Sequence, residues 1–262
     1  MDLQLKGRTA VVTGASKGIG LAITRALAAE GAAVVAGARG VTTELSDLAA
    51  REAVTPVAVD LSTPDGPARL VEAALAAHGG LDILVNNVGA VRPRPGGFAS
   101  VTDDDWLATL TINFLAAVRT TRAALPHLIA RGGGAIVTVN SVNARLPDPL
   151  VIDYSAAKAA LAGFSKALSK EVAAHGIRVN TVSPGPVSTG LWLGADGVAV
   201  TVAKAAGAAP EDVARKAAGD SVTGRFTEPE EVADLVLLLA GGRAGNVTGA
   251  DFAIDGGLIQ TL

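Results

Sequence analysis

The chain has 262 residues, 49% hydrophobic and 18% charged, which supplies enough apolar mass for a sizeable core and excludes intrinsic disorder. A net charge of −3 argues against a nucleic-acid surface or a basic membrane-binding face, and the absence of Cys excludes disulfides, thiolate metal centres and a thiol nucleophile. With Asp2, Lys6 and Arg8 near the start and no apolar run of ~18 residues, the expectation is a cytoplasmic enzyme with no membrane or nucleic-acid partner.

The first strand is predicted at Thr9–Thr13, a continuous apolar and β-branched run of the kind buried on both faces of a parallel sheet. It leads into Gly14-Ala15-Ser16-Lys17-Gly18-Ile19-Gly20 and a helix over Gly18–Glu30. Glycines at this spacing permit a sharp turn and bring backbone N–H groups close to a phosphate at a helix N-terminus, where the dipole favours negative charge. Taken alone, the loop also fits a plain tight turn or a site for S-adenosylmethionine. The second strand, Ala33–Gly37, runs into Ala38-Arg39-Gly40 with no carboxylate before Glu44. An acid at this place binds ribose hydroxyls, whereas a base accommodates a 2′-phosphate. Arg39, helped by Lys17, therefore favours NADP(H) over NAD(H).

Further strands are predicted at Pro56–Val59, Ile83–Asn86, Ala135–Asn140, Arg178–Val182 and Asp251–Ile254. Helices are predicted at Pro64–His78, Asp103–Ala130, Tyr154–Ala174 and Pro229–Ala240. This alternation implies an α/β fold: a doubly wound parallel sheet of about seven strands in three layers, as one domain over 1–262. The stretch 190–228 is too long for an ordinary connection and is expected to be a lid or a substrate-binding helical segment. Trp106–Val118 and Ala159–Ser165 carry no charge. The sheet covers only one face of such helices, so another copy of the chain is expected on the rest, giving a homodimer or homotetramer.

Tyr154 is the chain's one tyrosine, and Lys158 lies one helical turn beyond it, on the same face. With seven Lys in 262 residues, chance places one there about 3% of the time. A free phenol titrates near ~10; a neighbouring ammonium and an oxidised nicotinamide would bring it toward the working range of a general acid or base. Ser141 would hydrogen-bond the substrate oxygen where charge develops. Asn113 is a poor choice for a helix interior, which makes sense if its side chain or a local kink holds a water that relays protons to Lys158. His78, His127 and His175 are scattered, without the spacing of a metal site, and His78 and His175 each precede Gly at a predicted helix end. No metal is expected. Ser141 also lacks the GxSxG elbow of a hydrolase.

In this order the motifs resemble the short-chain dehydrogenase/reductase family over essentially the full length. Thr13–Gly20 resembles its cofactor loop, and Asp60-Leu61 its adenine contact. Asn86-Asn87-Val88-Gly89 resembles its NNAG, with Val for Ala, while Asn140 stands where a small hydroxyl residue is frequent. Asn113, Ser141, Tyr154 and Lys158 match the catalytic tetrad, with Ser141 thirteen positions before Tyr154. Pro184, Gly185 and Thr189 match PGxxxT, and Asp255-Gly256-Gly257 the usual ending. The resemblance implies a Rossmann fold, hydride transfer between NADP(H) and a carbonyl or secondary alcohol, and a tetramer. It also implies cofactor contacts from Gly14, Ser16, Lys17, Gly18, Ile19, Gly20, Arg39, Asp60, Leu61, Asn87 and Gly89. Tyr154, Lys158, Pro184, Gly185, Val187 and Thr189 complete that set.

The substrate is expected beyond the carboxyl ends of the strands. Val91–Ala99, Asn143–Leu150 and Gly190–Glu228 lie at that edge. Ser141, Asn143, Leu146, Tyr154 and Trp192 are the expected contacts in a mainly apolar pocket, with Arg92 and Arg94 on its rim able to meet an anionic handle. The alternatives are a 3-oxoacyl thioester (carrier protein) reductase and a non-catalytic dinucleotide-binding sensor.

Overall fold

The computed structural model describes residues 1–261. Its strands are β1 (Thr9–Thr13), β2 (Ala33–Ala38), β3 (Val54–Ala58), β4 (Ile83–Asn86), β5 (Gly134–Val139), β6 (Ile177–Pro184) and β7 (Asp251–Ile254). They form one sheet in the order β3-β2-β1-β4-β5-β6-β7, with every neighbouring pair parallel. The winding reverses between β1 and β4, which opens a crevice at their carboxyl ends. The helices before that reversal are α1 (Gly18–Ala29), α2 (Thr43–Ala49) and α3 (Gly66–His78). After it come α4 (Asp103–Leu110), α5 (Ala116–Ala130), α6 (Ile152–Glu171), α7 (Gly190–Leu193), α8 (Val198–Ala206), α9 (Pro210–Gly219) and α10 (Pro229–Ala240).

Successive strand residues feed opposite cores. Ala10 and Val12 pack on the side of Ile23 and Leu27 from α1 and Val236 from α10. Val11 points the other way, to Leu70 of α3, Leu128 of α5 and Leu168 of α6. Apolar residues are needed on both faces, so the strands read as continuous runs and the molecule has three layers.

Several boundaries differ from expectation for local reasons. β3 starts at Val54, ahead of the predicted Pro56, because an edge strand tolerates a residue without an N–H. The seven-residue α2 was not expected; it is too short for a visible periodicity and is set by Thr42, whose hydroxyl accepts from the Leu45 N–H at 3.3 Å. The predicted helix Asp103–Ala130 is interrupted by a π-helical turn over Thr111–Leu115 that contains Asn113. α6 begins at Ile152, which puts Tyr154 in its first turn, and it stops at Glu171 before a 3₁₀ turn. Gly79 and Gly176, which follow His78 and His175, take left-handed conformations (φ 69° and 70°) and close their helical turns.

The two uncharged stretches meet each other: Phe114 and Phe164 pack edge to face with centroids 6.1 Å apart. Part of their apolar surface is thus used within the chain, while Leu107 stays 63% exposed. The 190–228 segment folds as α7, α8 and α9. Among the described residues no helix is long and apolar enough to cross a membrane, and no cluster of three metal-ligating side chains occurs.

Candidate functional site

The glycine loop passes from β1 into α1 through left-handed residues, Gly14 at φ 67° and Gly18 at 54°. A Cβ on Gly14 would stand 2.9 Å from the Val88 Cα, and one on Gly20 would overlap the Gly14 carbonyl oxygen. The N-cap residue of α1, Lys17, makes no side-chain cap bond, and the first turn carries no acid. This leaves the N-terminal N–H groups and the dipole available to an anion, as a pyrophosphate requires. Thr13 fastens the loop to the Asn86-Asn87-Val88-Gly89 segment. Its hydroxyl accepts from the Asn87 and Val88 N–H groups at 2.8 and 3.0 Å, and the Asn87 amide donates to the Thr13 and Gly14 carbonyls. Thr189 closes the other side, its methyl lying 3.3 Å from where a Gly18 Cβ would be.

At the next crossover, Ser16 accepts through its carbonyl from the Thr42 hydroxyl at 2.8 Å, which ties the loop to the turn carrying Arg39. Ile19 packs partly against the core and Lys17 is exposed. Bonds from the Ser62 hydroxyl and N–H, with the Arg39 charge nearby, hold the exposed Asp60 carboxyl below its usual range. The Leu61 side chain lies in the core on the α3 side, so of this pair Asp60 is the one at the surface. Pro184 ends β6, the Gly185 N–H donates to the Ile254 carbonyl at 3.0 Å, and Val187 is buried in the core, bridged to Thr227.

Asn113, Ser141, Tyr154 and Lys158 converge near Gly89, although they come from three places in the chain: the π-helical turn, the end of β5 and α6. Lys158 Nζ donates to the Val139 carbonyl at 3.0 Å and lies 5.7 Å from the Tyr154 ring centroid. Ser141 lies close enough to the Tyr154 hydroxyl to lower its pKa, and its Oγ donates to Asn143 Oδ1 at 3.1 Å and accepts from the Asn143 N–H. Asn113 grips the Ala90 backbone, accepting from its N–H at 3.0 Å and donating to its carbonyl at 2.8 Å, with a further bond to the Thr109 carbonyl. The cost of Asn in this helix is thus offset by pinning the segment after β4. A Cβ on Gly89 would stand 2.9 Å from Asn113 Oδ1, so this close approach requires glycine.

Burial decides the electrostatics. The Tyr154 phenol is pushed above its ordinary value by desolvation, against a smaller lowering by the Ser141 bond. Burial lowers Lys158 to about 8, because its ammonium is out of water.

On the substrate side, Trp192 stacks edge to face on Phe226 at 5.4 Å, Asn143 is half-buried beside Ser141, and Leu146 is 46% exposed at the edge. The expectation for Arg94 is corrected. It is not a rim cation: its side chain is 11% exposed and is held by Asp153 at 2.6 Å and Asp105 at 2.9 Å. Arg92 stays at the surface, 77% exposed. Sequence reasoning missed Thr42, Thr109, Asp153 and this use of Arg94. Their partners lie far along the chain, and only the acidic first turn before Tyr154 hinted at Asp153.

Known proteins resemble the chain over nearly its whole length. The family profile described as short chain dehydrogenase matches residues 8–196. The chain is 33% identical to 3-oxoacyl-(acyl-carrier-protein) reductase FabG of Thermotoga maritima, over 98% of this chain and all of that protein. It is 37% identical to cis-4-hydroxycyclohexanecarboxylate dehydrogenase of Sinomonas cyclohexanicum, covering 95% and 96% of the two chains. Among solved structures, L-sorbose reductase of Gluconobacter frateurii, determined with NADPH and L-sorbose, superposes with a TM-score of 0.91 at 36% identity and full coverage of both chains.

Proposed function

The chain belongs to the short-chain dehydrogenase family and is an NAD(P)-dependent oxidoreductase of alcohol and carbonyl groups; from that premise we propose that it uses NADP(H) to interconvert a ketone and a secondary alcohol in a mainly apolar pocket. The single observation that carries the catalytic part is the meeting of Asn113, Ser141, Tyr154 and Lys158 around Gly89.

Gly14, Gly18 and Gly20 make room for the pyrophosphate at the open end of α1, with Ser16, Ile19 and Thr189 along the loop. Arg39 and Lys17 would meet the 2′-phosphate, and Asp60 and Leu61 would border the adenine. Asn87, Gly89, Pro184, Gly185 and Val187 would hold the rest of the cofactor. When bound, the cofactor gives or takes the hydride and, oxidised, carries a positive ring. The chain's own residues do the rest. Ser141 polarises the substrate oxygen, and Tyr154 gives that oxygen a proton during reduction or removes it during oxidation. Lys158 holds the nicotinamide ribose and restores the Tyr154 proton, with Asn113 keeping the neighbouring backbone in register. Asn143, Leu146 and Trp192 shape the substrate pocket beneath the 190–228 segment.

Arg94 is committed to carboxylates. Only Arg92 remains for an acidic carrier, which favours free ketones over carrier-bound 3-oxoacyl thioesters. The test is a panel of ketones, alcohols and a carrier-bound thioester, followed by nicotinamide absorbance. NADPH-dependent turnover of free ketones, lost in Tyr154→Phe with NADPH binding retained, is the expected result. No turnover of any member, or Tyr154→Phe retaining a tenth of kcat/KM, overturns the reading.

A further inference from the structure

Arg94 and Asp153 form an ion pair that the catalytic reading leaves without a task. Asp153 is 1% exposed and immediately precedes Tyr154 in the first turn of α6. Its Oδ2 accepts from Arg94 Nη2 at 2.6 Å, from Arg94 Nε at 3.2 Å and from the Thr109 hydroxyl at 2.7 Å. Its Oδ1 accepts from the Tyr154 N–H at 3.1 Å. The α6 N-cap residue, Val151, offers no side-chain cap, so Asp153 is the side chain that anchors this helix start. Arg94 adds a backbone bond, its N–H donating to the Leu150 carbonyl at 2.6 Å just ahead of α6.

Thr109 closes a circuit. Its hydroxyl holds Asp153, and its carbonyl accepts from Asn113, which in turn grips Ala90 beyond Gly89. Tyr154 and Asn113 are therefore joined through one threonine, and Arg94 locks the β4–α4 connection onto the same carboxylate. A buried ion pair is a weak source of stability, since desolvation offsets most of the attraction, whereas a forked, directional pair fixes geometry.

We infer that Arg94 and Asp153 are positioning residues for Tyr154: the pair sets the start of α6 against the segment after β4, and Arg94 neutralises the carboxylate bonded to the Tyr154 backbone. This rests on the reading of Tyr154 as proton donor. The mutual bonds hold Asp153 ionised, well below its ordinary range despite burial, and raise Arg94. Tyr154 is faced by Lys158 from its own helix and by Ser141 from the end of β5. Asp153 precedes it in the same turn and is linked in one ion network to Arg94 and the outer Arg92 from the loop after β4 and to Asp105 from α4.

Because Tyr154 is the one tyrosine, its ionisation can be read by ultraviolet absorbance without any substrate, with circular dichroism reporting the fold. Arg94→Leu leaves a bare carboxylate and should raise the Tyr154 midpoint by about half a unit, while Asp153→Asn leaves a surplus cation and should lower it by a similar amount. Each variant should lose about tenfold or more in kcat with NADPH affinity within about twofold, and the double variant should lose no more than either single one. Loosened packing alone would move both midpoints the same way, toward the ordinary phenol. Should Arg94→Leu fail to fold, Arg94→Lys, which keeps the charge and loses the fork, is expected to hold the midpoint yet lose kcat. Unmoved midpoints, midpoints moving together, or kcat within twofold of wild type in the folded variants overturn the inference. A wild-type protein with no ketone turnover overturns the oxidoreductase reading instead, since the titration involves no substrate.

Discussion

Lys158→Met should inactivate the protein and, without cofactor, make it more stable. Burial lowers Lys158 from the ordinary 10.5 to about 8. At about 1.36 kcal/mol per unit, holding this ammonium in the fold costs about 3 kcal/mol. The Met variant removes that cost and gives up the bond to the Val139 carbonyl, worth about 1–2 kcal/mol. The net gain is about 1–2 kcal/mol at pH 7, or a rise of about 2–8 °C in Tm for a chain of this size. The sign with pH follows from the depressed folded-state value. Below about 8 both states carry the proton and the full cost is present. Between about 8 and 10.5 the unfolded chain binds more protons, so wild-type stability rises with pH and the advantage of Met fades. Urea denaturation and thermal melting of cofactor-free wild type and variant, at pH 7 and near pH 10, measure this directly. A variant less stable than wild type at pH 7, or a gap that does not shrink toward pH 10, refutes the reasoning. The cost of this buried cation is expected to be recovered when ligand binds.

Other expectations are as direct. Arg39→Ala should weaken NADPH about ten- to a hundredfold and leave NADH nearly unchanged, since one charge-assisted bond is worth about 1.5–3 kcal/mol, and Ala38→Asp added to it should favour NADH outright; equal weakening of both cofactors in a binding titration would make Arg39 a plain surface cation. Gly20→Ala should abolish NADPH binding and lower Tm, because the new methyl meets the Gly14 carbonyl, and binding within threefold of wild type would disprove the close approach. Leu107 and the α4–α6 surface should be covered by a second copy, so light scattering at micromolar concentration should give a dimer or tetramer; a 26.0 kDa species alone would sink this.

The amino-acid sequence by itself determined the parallel sheet and the alternation of strands with most of the helices around it. Parallel strands buried on both faces must be continuous apolar runs, as Ala10-Val11-Val12 illustrates, and glycines that admit a phosphate must recur at close spacing. These are local demands, and local patterns reveal them. The same holds for Tyr154 and Lys158, neighbours on one helix face. Tertiary structure alone decided the rest. The π-turn at Asn113 exists because a distant backbone, at Ala90, offers its side chain two partners. Arg94 read as a free surface cation until the fold brought Asp153 within 2.6 Å of it across 59 positions. The direction in which Tyr154 and Lys158 shift depends on how far water is excluded from them. Burial and long-range ion pairing are properties of the assembled chain, and no spacing in the sequence encodes them.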